Sequence, residues 1–420
     1  MTRSGSSLVS ICSHKTTGGM ELQNALTSLL SLSDQERKAR GITYTPKEIH
    51  QQPASWLKTG QMMASARPLL LEALEAVGVG PKSKDRPTVI LVGAGTSDYV
   101  GQAVSRIFRQ QWNCEVMTVP STELLTNMDD YIQPKRRYLF VSFSRSGESS
   151  EGIATLEHAI DSYPTQIGHL VVTCNAEGSM ARVPGVITVV LDDEVNDRGL
   201  AMTSSFTNMI IAGQYLANAW NPMPYEDTLQ DLVDMAARLM PEASDLARQL
   251  AQIGYSRMCF IGAGSLRAIA EESSLKVLEM NAGKIATIAE SPLGLRHGPL
   301  SFVNDETLLI AYLSASEPRI AYEIDLLEEI SQKKLAGNMV VVAPKVTERL
   351  ANITSNVLSL EGSSMVPDAY RAPVDVILGQ LLGLFTSLAN NKLPDSPSTG
   401  AIARTVSHVK IYPALAKHKG

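Results

Sequence analysis

Short apolar runs rich in Val, Ile and Leu recur along this chain and alternate with longer stretches of helical period. The runs are VILVG (89–93), YLFVSFS (138–144), HLVVT (169–173), CFIG (259–262), TLLIAYLS (307–314) and NMVVV (338–342). Continuous apolar runs of this length, bounded by turn residues, mark strands buried on both faces, and intervening helices of ten or more residues supply the crossovers that parallel strands need. The pattern predicts an α/β fold in which helices cover both faces of parallel sheets.

The runs also repeat. VILVGAGTSDYVGQAV (89–104) and CFIGAGSLRAIAEESS (259–274) each read as a strand, a glycine turn and a helix start. Gly93 and Gly262 stand 169 positions apart (262 minus 93), and the same offset pairs Tyr138 with Thr307 and His169 with Asn338. Three strands in constant register indicate two copies of one unit, each a three-layer αβα sandwich. The expected division is an extension over 1–45, disordered or helical, a first unit over 46–220, a helical connection over 221–257, a second unit over 258–390 and a tail over 391–420. Within the extension, the first 19 residues are rich in Ser, Thr and Gly and read as disordered. Thr45, Pro46 and Glu48 have the spacing of a capping box with proline at the first helical position, so a helix is expected to start there and carry EIHQQPASWLKT.

Composition narrows the function. The 420 residues carry a net charge of −6, and their Lys and Arg are dispersed, so no surface is expected to hold a nucleic acid. No apolar run reaches the roughly 18 residues of a membrane span. The four cysteines show no CxxC spacing and sit beside apolar runs, as expected of reduced thiols in a cytoplasmic protein. The seven histidines form no HxxxH or HExxH pair, and neither a metal nor another cofactor is expected.

A small anion would find a local trap. SFSRSGESSEG (142–152) follows the strand YLFV and precedes the helical IATLEHAI, which places it beyond a C-terminal strand end at a helix N-terminus. Ser144, Ser146 and Ser149 offer hydroxyls, Gly147 lets the backbone turn and Arg145 adds a cation, a set suited to a phosphate monoester. A solvated, helix-capping serine loop is the plainer alternative. The second copy has LSASEPR at the equivalent place and lacks both the glycine and the serine spacing. In GAGTSDYVG, Asp98 stands where a dinucleotide fingerprint requires its third glycine, so Thr96 and Ser97 are better read as contacts to a sugar or its phosphate. Lys276 and Glu279 lie three apart on an expected helix and share a face, either as an exposed ion pair or as part of an acid–base site.

In this order the segments resemble the sugar isomerase (SIS) domain family. SFSRSGESSE is similar to the S-x-S-G-E-T phosphate loop of that family, and VGAGTSDYVG to its first strand-loop. PKEIHQQP, TCNAEGSMAR, ESSLKVLEM and LGLRHGPLSF resemble successive motifs in the isomerase half of glucosamine-6-phosphate synthase. GLAMTSSFT, and a chain without a glutaminase domain, look most like the AgaS group. The likeness spans roughly 46–410.

The resemblance implies tandem SIS domains, a sugar-phosphate substrate and a homodimer with shared active sites. It also implies that Glu279 transfers a proton between C1 and C2, that Lys276 partners it and that His297 opens the sugar ring. At the synthase's C-terminal lysine this chain has Arg404, which can hold an anion but does not exchange protons readily, so His408 and Lys410 are candidates for the missing role. The implied reaction is galactosamine 6-phosphate to tagatose 6-phosphate plus ammonia. Isomerisation without loss of nitrogen, and a sugar-phosphate-sensing regulator, are the alternatives.

Overall fold

A computed structural model of the chain describes residues 23–362, 365–398 and 409–412. Four helices precede the first strand: α1 (Ala25–Leu30), α2 (Asp34–Ala39), α3 (Thr45–His50) and α4 (Gln52–Ala76). The described part of the N-terminal extension is therefore largely helical, and Leu26 and Leu29 of α1 are buried in the core.

The first sheet contains β1 (Thr88–Gly93), β2 (Val116–Pro120), β3 (Tyr138–Ser144), β4 (Ile167–Thr173) and β5 (Ile187–Val190), in the order β2-β1-β3-β4-β5 with every pair parallel. Its crossovers include α5 (Thr96–Trp112), α6 (Ser121–Tyr131) and α7 (Ser150–Ser162), and α8 (Ser204–Ala217) follows β5. The long α9 (Met223–Ile253) leads to the second unit. There α10 (Ser265–Met280), α11 (Pro292–Leu295), α12 (Arg319–Gln332), α13 (Glu348–Ile353) and α14 (Ala372–Ala389) accompany β6 (Arg257–Gly262), β7 (Ala286–Glu290), β8 (Thr307–Tyr312), β9 (Asn338–Ala343) and β10 (Val357–Ser359). These strands are also all parallel, in the order β7-β6-β8-β9-β10. Strand for strand, the two orders are the same, so the duplication extends from three runs to whole sheets.

The glycine turns are duplicated to the level of backbone angles. Gly95 and Gly264 have φ of 54° and 61° and ψ of −127° and −125°, a conformation that favours glycine. A Cβ on Gly93 would lie 2.3 Å from the backbone of Ser97, and one on Gly262 would lie 2.3 Å from the backbone of Leu266. Each helix can thus start directly over the end of its strand.

Helices α5 and α10, the first of each unit, pack against each other and bring the C-terminal ends of β1 and β6 together. Beneath them, α14 packs on α9 and α10. By length and composition it could cross a membrane, with a mean hydropathy of 1.5 over 18 residues, but 89% of that window is buried inside the fold. It holds Asp375 and Gln380 as well, both sealed from solvent and hydrogen-bonded, and it is a core helix. Cys174 and Cys259 are buried free thiols and Cys114 is a half-buried one, while Cys12 lies outside the described residues.

One local expectation fails. A helix does begin at Thr45, but no side chain caps it, and it ends at His50 with α4 starting anew at Gln52. Thr45 instead donates its hydroxyl to Asp395 Oδ1 (2.7 Å), and Glu48 accepts the amides of Arg198 and Gly199. Both members of the expected capping box make tertiary bonds instead.

Candidate active site

A cavity of about 680 Å³ lies over the ends of β1 and β3. Its wall includes the Gly95–Ser97 turn, the loop from Ser142 to Gly152, Leu200, Met202 and Val409, together with Glu279 from the second unit. Thr96, Ser97, Ser144, Arg145, Ser146 and Ser149, the expected anion and sugar contacts, all line it.

The serine loop is folded by its own hydroxyls. Ser144 Oγ accepts the Gly147 amide and Ser146 Oγ accepts the Glu148 amide, both at 3.2 Å, around a Gly147 with φ of 63°. Asn175 supports it from behind by donating Nδ2 to the Ser146 carbonyl (2.9 Å). Ser149 occupies the N-cap of α7 without making a capping bond, so its hydroxyl is not committed to the helix. Arg145 Nη1 is buried with no hydrogen-bond partner among the described residues. Hydroxyls, a helix N-terminus and a buried guanidinium nitrogen make this wall chemically suited to an anion.

The equivalent place in the second unit is already filled. Asp368 accepts from Ser314 Oγ (2.5 Å), the Ala315 amide (2.8 Å) and Arg319 Nη1 (2.8 Å), and it is 5% exposed. The chain's own carboxylate sits where the first unit presents an open loop.

On α10, Lys276 is completely buried and joins the two units. Its Nζ donates to Thr96 Oγ1 of α5 (3.0 Å) and to Glu279 Oε2 (2.7 Å), and it lies 3.2 Å from Glu272 Oε1. Burial by itself pulls the lysine pKa down, but the Glu272 and Glu279 carboxylates outweigh it and hold the value above the ordinary one. Glu272 is pushed up to about 8, by burial first and by the charge of Glu279, against the pull of Lys276. Glu272 therefore holds its proton more tightly than an ordinary carboxyl does, while Glu279 reaches the cavity wall. Thr96 is partly diverted from its expected role, since its hydroxyl accepts from Lys276 as well as lining the cavity.

His297 is not brought to this site. It sits on the turn between α11 and the short 3₁₀ segment Pro299–Phe302, exposed, with its amide donating to the Gly294 carbonyl (2.9 Å), and it does not line the cavity of its own chain. Arg404 and His408 lie outside the described residues. Lys410 Nζ lies 4.8 Å from the Tyr412 ring centroid, beside Val409 of the cavity wall. Among the described residues, no group of three His, Cys, Asp or Glu side chains is placed to hold a metal.

Two features escaped sequence reasoning. Glu272 could have been found, because Glu272, Lys276 and Glu279 are spaced four and three apart and share one helical face. Leu200 and Met202 carried no readable signal, since an apolar pair in a loop is recognisable as a wall only once the chain is folded.

Comparison with known proteins agrees with this geometry. The SIS domain family matches residues 83–219. The D-galactosamine-6-phosphate deaminase AgaS of Escherichia coli is 32% identical over 379 residues, covering 88% of this chain and 96% of that protein. The enzyme of the same name from Shewanella sp. (strain ANA-3) is 30% identical over 395 residues, 92% of this chain and 96% of that one. The crystal structure of tagatose-6-phosphate ketose/aldose isomerase from Escherichia coli superposes with a TM-score of 0.77 at 30% identity, over 88% of this chain and 96% of that one. At 30% identity or more over nearly the full length of these relatives, the chain belongs to the SIS domain family and, within it, to the AgaS group.

Proposed function

We propose that this protein converts galactosamine 6-phosphate and water to tagatose 6-phosphate and ammonia. The observation that carries the reading is the shared wall: Glu279, backed by buried Lys276, faces the same cavity as the serine loop and Arg145. The phosphate binds at Ser144, Arg145, Ser146 and Ser149. Glu279 takes the proton from C2 of the opened sugar and returns it to C1, while a proton of the amine passes to the C1 oxygen, which leaves a hydroxyl at C1 and an imine at C2. Water adds to that imine and ammonia departs. Two relatives named as galactosamine-6-phosphate deaminases support the direction.

The same reading makes the protein a homodimer with shared active sites. Exposed His297, outside its own chain's cavity, is presented to the cavity of a second copy and opens the sugar ring there. Mixing Glu279→Gln chains with His297→Ala chains tests this arrangement. Each mixed dimer regains one complete site, so an equimolar random mixture returns about a quarter of normal activity, whereas sites built within one chain return none.

Turnover of hexosamine 6-phosphates and ketohexose 6-phosphates, with ammonia and sugar products identified, tests the reaction. Ammonia released in step with tagatose 6-phosphate supports deamination. Interconversion of tagatose 6-phosphate with its aldose and no need for an amine would favour the activity named for the solved Escherichia coli relative.

A further inference from the structure

We propose that Glu48, which stands outside the cavity on α3, is the positioning residue that holds the apolar wall against which the sugar ring lies. The kinetic half of this inference rests on the function proposed above, and the structural half does not.

The wall is a strap from Asp197 to Thr203, between β5 and α8. Leu200 and Met202 of this strap line the cavity, and the polar serine loop forms part of the same wall. Buried carboxylates pin both ends of the strap. Asp197 takes up the α8 N-terminus, accepting the amides of Thr203 (2.8 Å), Ser204 (3.0 Å) and Ser205 (2.9 Å). Glu48, 6% exposed, accepts the amides of Arg198 (2.5 Å) and Gly199 (3.2 Å) through Oε1. Between these anchors, the Leu200 amide donates to the Asp395 carbonyl (3.1 Å).

The fit leaves no slack at Gly199. A Cβ there would lie 2.8 Å from Thr45 Oγ1 and 3.0 Å from Glu48 Oε2. Glu48 and Thr45, the two residues that decline to cap α3, thus clamp the strap from beneath. The phosphate loop is held by separate bonds, from Ser144, Ser146 and Asn175. Loosening the strap should therefore disturb the sugar ring and leave the phosphate alone, because misplacing a bound reactant costs catalysis without touching the groups that grip its far end.

The test compares the full-length protein with Glu48→Ala, Glu48→Gln and Gly199→Ala. Hydrogen exchange of the amides over 198–202 reads the strap directly, with no substrate present. Glu48→Ala and Gly199→Ala are expected to speed it by about tenfold or more, and Glu48→Gln, which keeps an acceptor oxygen, to stay within about twofold of the parent. In turnover, the first two should raise KM for galactosamine 6-phosphate by about tenfold while inhibition by inorganic phosphate is unchanged. Unchanged exchange in Gly199→Ala overturns the proposal, even if Glu48→Ala does not fold. An equal loss of phosphate affinity and substrate affinity overturns it too. If the parent protein turns over no hexosamine phosphate, the functional reading fails, and the exchange measurement still decides whether Glu48 holds the strap.

Discussion

Lys276 Nζ lies 2.7 Å from Glu279 Oε2, although the lysine side chain is sealed from solvent and that of the glutamate is 34% exposed. The carboxylate proposed as the base thus has its counter-charge behind it, in the protein, and that counter-charge is tied through Thr96 to the other half of the chain. The placing of Glu279 therefore depends on the packing of α5 against α10.

Replacing Glu279 with Gln keeps the size and hydrogen-bonding capacity of the side chain and removes the base. Turnover should fall by at least about 10²-fold with inorganic phosphate affinity retained. Steady-state kinetics alongside phosphate inhibition would check it, and near-normal kcat would remove Glu279 from the chemistry.

Lys276→Met removes the only cation within ion-pair distance of buried Glu272 among the described residues. A loss of roughly 1–3 kcal/mol of folding stability is expected in urea denaturation, because buried Thr96 and Glu272 lose the ammonium beside them. Lys276→Met combined with Glu272→Leu should recover much of that loss. Turnover still missing from the restabilised double variant then belongs to the chemistry and not to the fold.

Ser146→Ala should weaken substrate and inorganic phosphate together by roughly tenfold, the worth of one hydrogen bond to a charged oxygen. Its counterpart by the 169-residue offset is Ala315, where Ala315→Ser should leave phosphate affinity unchanged. Isothermal titration with phosphate, run with parallel melting curves, separates binding from loop stability.

Burial, and the nearby charges of Asp197 and Asp395, push Glu48 up from 4.5 to about 8, with the amides of Arg198 and Gly199 opposing. The folded state therefore holds a proton that the unfolded chain releases between those values. Stability should fall as pH rises from about 4.5 to 8, with the full cost present above 8. Glu272, raised to about 8 by burial, contributes in the same window with the same sign. Glu48→Gln should flatten part of the slope and Glu48→Gln with Glu272→Gln more of it, as read from melting temperatures across pH.

Much of this molecule was legible in the chain because its signals are local and repeated. Apolar runs gave six of the ten strands among the described residues, β1, β3, β4, β6, β8 and β9, and the constant offset gave two units whose common strand order the structure displays, while the shorter β2, β5, β7 and β10 lack such a run. The serine loop was readable because hydroxyls, glycine and arginine fall within one turn. The capping box misled because Thr45 and Glu48 have equally good partners 350 and 150 residues away, at Asp395 and Arg198, which no window of sequence contains. His297 was legible as a residue type but not as a position. Its exposure on the α11 turn follows from how the second unit folds, which no short window of sequence contains.

Asp368 settles how the two halves share the work. A protein built from two copies of an anion-binding unit could titrate two anions per chain, yet here the donors of the second copy are already met, through hydrogen bonds, by a carboxylate the chain carries with it. This tethered counter-ion cannot dissociate, so the expected stoichiometry is one phosphate per chain at every concentration. The second unit is left to carry Glu279, the proposed base, to the wall of the first unit's cavity.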